Sequence, residues 1–188
     1  MALMHSTMMA LGTEAPAFTL PDTTSELAPV SLRTHAHGAK ATLVMFICNH
    51  CPYVVHVKDQ LAQLSRDYQP KGVKFVAISS NDVAQYPADA PEKMTEFAKA
   101  NGFTFPYCYD ESQDVARAYD AVCTPDFFVF DQNLRLAYRG RLDESRPGSG
   151  KPVTGADMRA AFDKILAGEE VPEGEQVPSA GCSIKWRA

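Results

Sequence analysis

Residues 46–61 read FICNHCPYVVHVKDQL. They close an apolar run, ATLVMFI (41–47), with Cys48, and Cys51 follows one helical turn later. A continuous apolar run is the pattern of a strand buried on both faces. The period then changes: Val54, Val57, Leu61, Leu64 and Tyr68 recur at helical spacing, with Lys58, Asp59 and Arg66 off that stripe. A C-x-x-C pair therefore lies at the seam between a buried strand and an amphipathic helix. Unpaired backbone N–H groups and the positive helix pole favour thiolate over thiol there. The spacing places Cys48 as the reactive thiolate at the helix start, and Cys51 as the thiol that resolves a mixed disulfide formed at Cys48. Pro52 is tolerated because the first turn has no intrahelical N–H partner to lose. His50, as a cation, would favour the Cys48 thiolate further and make the pair more oxidising. The plainer reading of His50 is a solvated loop residue.

Working outward, VKFVAIS (73–79) reads as the next strand, followed by a polar loop, SSNDVAQYPADAPEK, and a short helix from Lys93 to Ala100 ended by Asn101-Gly102. A strand near FTFPYCY precedes a helix, SQDVARAYD, capped by Asp110 or Ser112. DFFVF (126–130) and LRLAYRG (134–140) flank a hairpin turn, and Thr154 caps a last helix that Gly168 ends. Residues 11–34, broken by Pro and Asp, suggest a hairpin-like N-terminal extension. The order β-α-β-α-β-α-β-β-α predicts an α/β sandwich around a mixed parallel and antiparallel sheet, with right-handed crossovers.

Composition narrows the chemistry. With 188 residues, 45% apolar and 22% charged, the chain has the make-up of an ordinary globular protein, most simply one domain with an extension. A formal charge of −5 without a basic block argues against nucleic acid as a partner. No apolar stretch approaches bilayer length, so no membrane is expected either. The N-terminus has no basic region ahead of its apolar residues, which points to a cytoplasmic location. Five cysteines, at 48, 51, 108, 123 and 182, are too few for a disulfide scaffold of this size.

The strand–C-N-H-C-P–helix unit resembles the thioredoxin superfamily, and the opening GTEAPAFTLPD (12–22) is similar to its redoxin (AhpC/TSA, peroxiredoxin-like) branch. Thr124-Pro125, leading into DFFVF, is similar to the superfamily's cis Thr-Pro that faces the C-x-x-C. The resemblance covers residues 11–168 and implies a thioredoxin-like three-layer α/β/α domain. It implies thiol–disulfide oxidoreductase chemistry in redox homeostasis, with Cys48 and Cys51 catalytic. Thr124 and Pro125 would form a groove whose backbone pairs with an extended thiol or disulfide partner. It implies no organic cofactor; the partners would be a protein or small-molecule disulfide and a reducing thiol system.

The departures shape the alternatives. Ile47 stands where thioredoxins carry Trp, and Thr42 where they bury an acid. The peroxiredoxin P-x-x-x-T-x-x-C motif finds Val44 and Cys48 when aligned on Cys51, and Ala41 and Met45 when aligned on Cys48. A peroxiredoxin-like thiol peroxidase, an antioxidant protein, is therefore the second reading; Arg139 and Arg141 read as surface cations. Metal binding, to copper or zinc, is the reading of another class, but structural zinc takes four ligands and no second cysteine pair exists, so no metal is expected. Cys108 reads as a small core residue. Cys123, just before Thr124-Pro125, is an auxiliary redox candidate or a buried thiol. Residues 169–188 are expected to dock on the domain as a tail, since Cys182, Ile184 and Trp186 alternate with Ser183, Lys185 and Arg187. Docking would make Cys182 either a hydrophobic anchor or a third redox thiol.

Overall fold

The computed structural model describes residues 2–188. Its central strand, β4 (Ala41–Phe46), is buried along its whole length. It lies parallel to β5 (Val73–Ser79) and antiparallel to β8 (Asp126–Asp131). Strand alternation then divides the core in two. Leu43, Met45 and Ile47 face a core shared with α2 (Pro52–Tyr68), α3 (Pro91–Ala100) and α5 (Ala156–Leu166), through Val54, Met94 and Phe162. Val44 and Phe46 face the other, with Leu32 of α1 (Leu32–His35), Ala116 of α4 (Asp114–Ala118) and Tyr119. Helices thus cover both faces of a seven-stranded mixed sheet, ordered β3-β2-β6-β5-β4-β8-β9. The remaining strands are β2 (Thr19–Asp22), β3 (Ala28–Ser31), β6 (Tyr107–Tyr109) and β9 (Leu136–Arg139).

Two local expectations change. The N-terminal hairpin β2–β3 is part of the central sheet, because β2 pairs antiparallel with β6. The last helix starts one residue later than Thr154 suggested. Gly155 is its N-cap in the left-handed region, and the Asp143 carboxylate accepts the N–H groups of Thr154 and Gly155 at 2.8 and 2.7 Å. The expected cap Asp110 does serve α4, but from outside it, accepting the Ala116 N–H at 3.0 Å.

A second, three-stranded sheet joins both chain ends to the region of the cysteine pair. Strand β10 (Ala180–Ser183) runs antiparallel between β1 (Leu3–His5) and β7 (Cys123–Thr124). Its exit is held by backbone groups: the Ile184 N–H reaches the Val122 carbonyl at 2.9 Å, and the Lys185 N–H reaches Asn81 Oδ1 at 2.8 Å. Ile184 is buried, whereas Trp186 keeps 37% exposure beneath the Arg117 guanidinium, 5.1 Å from the ring centre. Gly181 is required for this approach, since a Cβ there would overlap the Thr124 carbonyl.

At the start of β8, Asp126 is buried and its Oδ2 has no hydrogen-bond partner among the described residues. Burial pushes this carboxyl well above the usual carboxylate range, against the pull of the Phe127 and Val122 N–H groups. The folded protein therefore keeps a proton that the unfolded chain releases near pH ~3.9. Stability conferred below that pH is lost as pH rises toward the folded-state value, at up to ~1.4 kcal/mol per pH unit. Asp126→Asn is expected to abolish this component, so its advantage over wild type in denaturant unfolding should grow from about pH 4 to about pH 7. A constant difference would refute the assignment. Gly181→Ala is expected to cost ~1–3 kcal/mol or more and to shift Trp186 emission to the red as β10 lifts. Unchanged emission and stability would contradict the close contact.

Candidate active site

Helix α2 begins at Pro52, so its N-cap is Cys51 (φ −69°, ψ 123°), and Cys48 lies three residues before it in the turn leaving β4. This corrects the placement of Cys48 at the helix start. The backbone enters helical angles only after Cys51, whose side chain makes no capping hydrogen bond. Both cysteines are buried, Cys48 to 1% exposure and Cys51 to 0%, and both are reduced. Thr124 holds the pair from the opposite strand. Its Oγ1 is 3.5 Å from Cys48 Sγ, and its carbonyl oxygen accepts the Cys51 thiol at 3.3 Å. The Thr124–Pro125 peptide is cis.

The two sulfurs face different partners. The Thr124 carbonyl is an acceptor only, so it holds a proton on Cys51. The Thr124 hydroxyl can donate, so it favours a thiolate on Cys48, against burial and the Asp89 carboxylate that faces it.

Asp89 is the residue that the sequence did not reveal. It lies in the loop read only as polar and is fully buried. Oδ1 accepts the Asn49 and His50 backbone N–H groups at 2.8 and 3.3 Å; Oδ2 meets His50 Nδ1 at 2.6 Å and accepts Asn81 Nδ2–H at 2.9 Å. Such an acceptor makes Nδ1 the protonated ring nitrogen and leaves Nε2 for proton traffic. His50 is half-buried and stacks on Tyr86, ring centres 5.4 Å apart, so it is not a free loop residue. Cys48, His50 and Asp89 offer donor atoms within 4.8 Å of one another, the one metal-like grouping among the described residues. Four N–H donors already fill the acceptor sites of Asp89, so its geometry is that of a hydrogen-bonding hub, not of a metal ligand.

The other candidates divide. Cys182 lies opposite Thr124 in the β10–β7 ladder and is buried in the same core cluster as Cys48 and Cys51. Cys123 is buried with its Sγ 3.8 Å from the Pro125 carbonyl, and burial pushes its thiol up. Cys108 is buried in the second core, where desolvation likewise raises its thiol. Arg139 is no surface cation: it is buried and binds Glu173, Gln176 and the Met9 carbonyl, tying both termini to β9. Arg141 pairs with Asp157 at 2.6 Å and lines a cleft of about 30 Å³ beside Pro125, Tyr53 and Ala180. The expected open groove at Thr124 and Pro125 is also corrected. The backbone edge of Cys123–Thr124 is occupied by the chain's own β10, and Thr124 and Pro125 are buried.

A sheet with helices on both faces, a C-x-x-C before its long helix and a cis proline facing that pair define a thioredoxin-fold oxidoreductase. The chain belongs to the Redoxin family, whose profile matches residues 10–157. An uncharacterized conserved protein from Geobacillus kaustophilus is 53% identical and superposes with a TM-score of 0.96, covering 100% of this chain and 97% of that one. A Mycobacterium tuberculosis protein with a provisional peroxiredoxin name is 29% identical over 63% of this chain and 69% of its own length. The fold is shared with a Chlorobium tepidum protein titled as a thiol:disulfide interchange protein, at a TM-score of 0.65 and 20% identity over 84% of this chain and 99% of that one.

Thiolate absorbance near 240 nm tests the charge distribution. The thiolate that titrates first in the reduced protein is expected to be lost in Cys48→Ser and retained in Cys51→Ser. Loss on Cys51→Ser alone would move the charge to Cys51.

Proposed function

We propose that this protein is a thiol–disulfide oxidoreductase whose redox pair is Cys48 and Cys51, with Cys48 attacking and Cys51 resolving. The observation that carries the reading is the placement of both buried sulfurs on Thr124, Cys48 at its hydroxyl and Cys51 at its carbonyl. In the forward direction Cys48 gives up its proton toward His50, whose ring Asp89 orients, and attacks a disulfide, forming a Cys48 mixed disulfide and releasing one substrate thiolate. Cys51 then loses its proton and attacks the Cys48 sulfur. The second substrate thiolate leaves, the Cys48–Cys51 disulfide forms, and two electrons and two protons have passed to the substrate. An external thiol system restores the dithiol. Because both sulfurs are enclosed, the reading favours small disulfides, or partners that first lift the surrounding segments.

Peroxide reduction through the same pair is the second reading, favoured by the name of the mycobacterial relative. It finds less support in the geometry: Arg139 and Arg141 are engaged with Glu173 and Asp157, and no Thr occupies the peroxiredoxin position. Turnover of a small disulfide and of hydrogen peroxide should be compared with wild type and Cys48→Ser. The expected result is faster disulfide turnover in wild type and its loss by on the order of 10²-fold or more in Cys48→Ser. Disulfide turnover that survives Cys48→Ser would sink the proposed order. Oxidation by peroxide that outruns disulfide exchange would favour the second reading.

A further inference from the structure

His50 is held by two neighbours, Asp89 and Tyr86, and both belong to one loop, residues 81–89. The start of that loop is bound to the tail. The Lys185 carbonyl accepts the Asp82 N–H at 2.8 Å and the Gln113 side-chain amide at 2.9 Å. The Lys185 N–H donates to Asn81 Oδ1 at 2.8 Å, and Asn81 Nδ2–H donates to Asp89 Oδ2 at 2.9 Å. That oxygen is the one 2.6 Å from His50 Nδ1. A backbone N–H needs an acceptor and a carboxylate needs a donor, so these two partners allow the Asn81 amide one orientation only. A second contact runs the same way: the Lys185 ammonium lies 5.8 Å from the centre of the Tyr86 ring, which stacks on His50.

The two oxygens of Asp89 are secured differently. Oδ1 is anchored by the backbone N–H groups of Asn49 and His50. Apart from the imidazole, Oδ2 has only Asn81 as a partner among the described residues. Without Asn81 the carboxylate is free to turn about its anchored oxygen and to carry the imidazole with it. Asn81, Asp89 and Lys185 are all buried, so bulk water does not stand in for a lost donor.

We propose that Asn81 is a positioning residue for His50, and that it makes the aim of the imidazole depend on the seating of Lys185 in the tail. This rests on the reading of His50 as the proton acceptor for Cys48. Asn81 moves no proton itself; it acts through Asp89. A merely structural tie between loop and tail gives no reason for its effect on the reaction to depend on His50.

The test is a double-mutant cycle on the full-length protein, read as kcat/KM for 2-hydroxyethyl disulfide. His50→Gln is expected to lose on the order of 10²-fold, the usual contribution of a proton acceptor. Asn81→Ala should lose about 10-fold, since it misaims that acceptor without removing it. The double variant should be as slow as His50→Gln alone, to within about 2-fold, because nothing is left for Asn81 to position. In ¹H–¹⁵N spectra the His50 Nδ1–H resonance should shift or broaden in Asn81→Ala. Lys185→Pro, which removes the N–H that Asn81 accepts, should give the same His50-dependent loss and carries the test if Asn81→Ala does not fold. Trp186 emission verifies that the tail remains docked in Asn81→Ala. Wild-type activity in Asn81→Ala, or a loss by the same factor with and without His50, would overturn the inference while leaving His50 as the acceptor. Wild-type activity in His50→Gln would instead remove the acceptor from the parent reading, and this inference with it.

Discussion

Thr124 is where the strands, the thiols and the tail meet. Its hydroxyl and its carbonyl each contact one sulfur of the C-x-x-C pair, and its peptide bond to Pro125 is cis. Its backbone is also the edge on which β10 lies, at a spacing that only glycine at position 181 allows. A displacement of this residue would at once change the separation of the two sulfurs, the seat of the tail and the position of Cys182. Its rigidity comes from outside itself, because β8 continues from Pro125 into the centre of the sheet and pairs with β4 along its whole length.

Enclosure of the pair has two opposing effects. Desolvation disfavours a thiolate, and on its own would leave both sulfurs inert. The Thr124 hydroxyl offsets part of that penalty at Cys48, against the Asp89 carboxylate, while the Thr124 carbonyl keeps the proton on Cys51. Asp89 contributes twice, facing Cys48 electrostatically and fixing the His50 ring that stands beside it.

The chain ends complete this site. β1 and β10 form a ribbon against β7, Arg139 clamps the segments before and after the domain, and Asn81 and Gln113 bind the backbone beyond β10. These contacts replace an exposed strand edge, an aggregation hazard in itself, with an intramolecular partner. They also make access to the cysteines depend on the tail.

Periodicity and local chemistry are written along the chain, and what depends on them was legible. The apolar run 41–47, the stripe from Val54 to Tyr68 and the pattern of DFFVF identify β4, α2 and β8, because burial on two faces or one leaves a mark at every second or third residue. The C-x-x-C and Thr-Pro motifs were legible for the same reason. Which cysteine is the N-cap residue was not, since one residue's backbone angles decide it. Asp89 was hidden because its partner is 39 residues away and its loop has no period. The alternation of Cys182, Ile184 and Trp186 carries the mark of an extended segment but no address for its partner. That address is Thr124, and it exists only once the sheet has brought residues 124 and 182 together. Sequence determined the elements and the type of chemistry; the tertiary structure decided which partners each sulfur meets and which strand covers them, because both depend on contacts between groups that are distant along the chain.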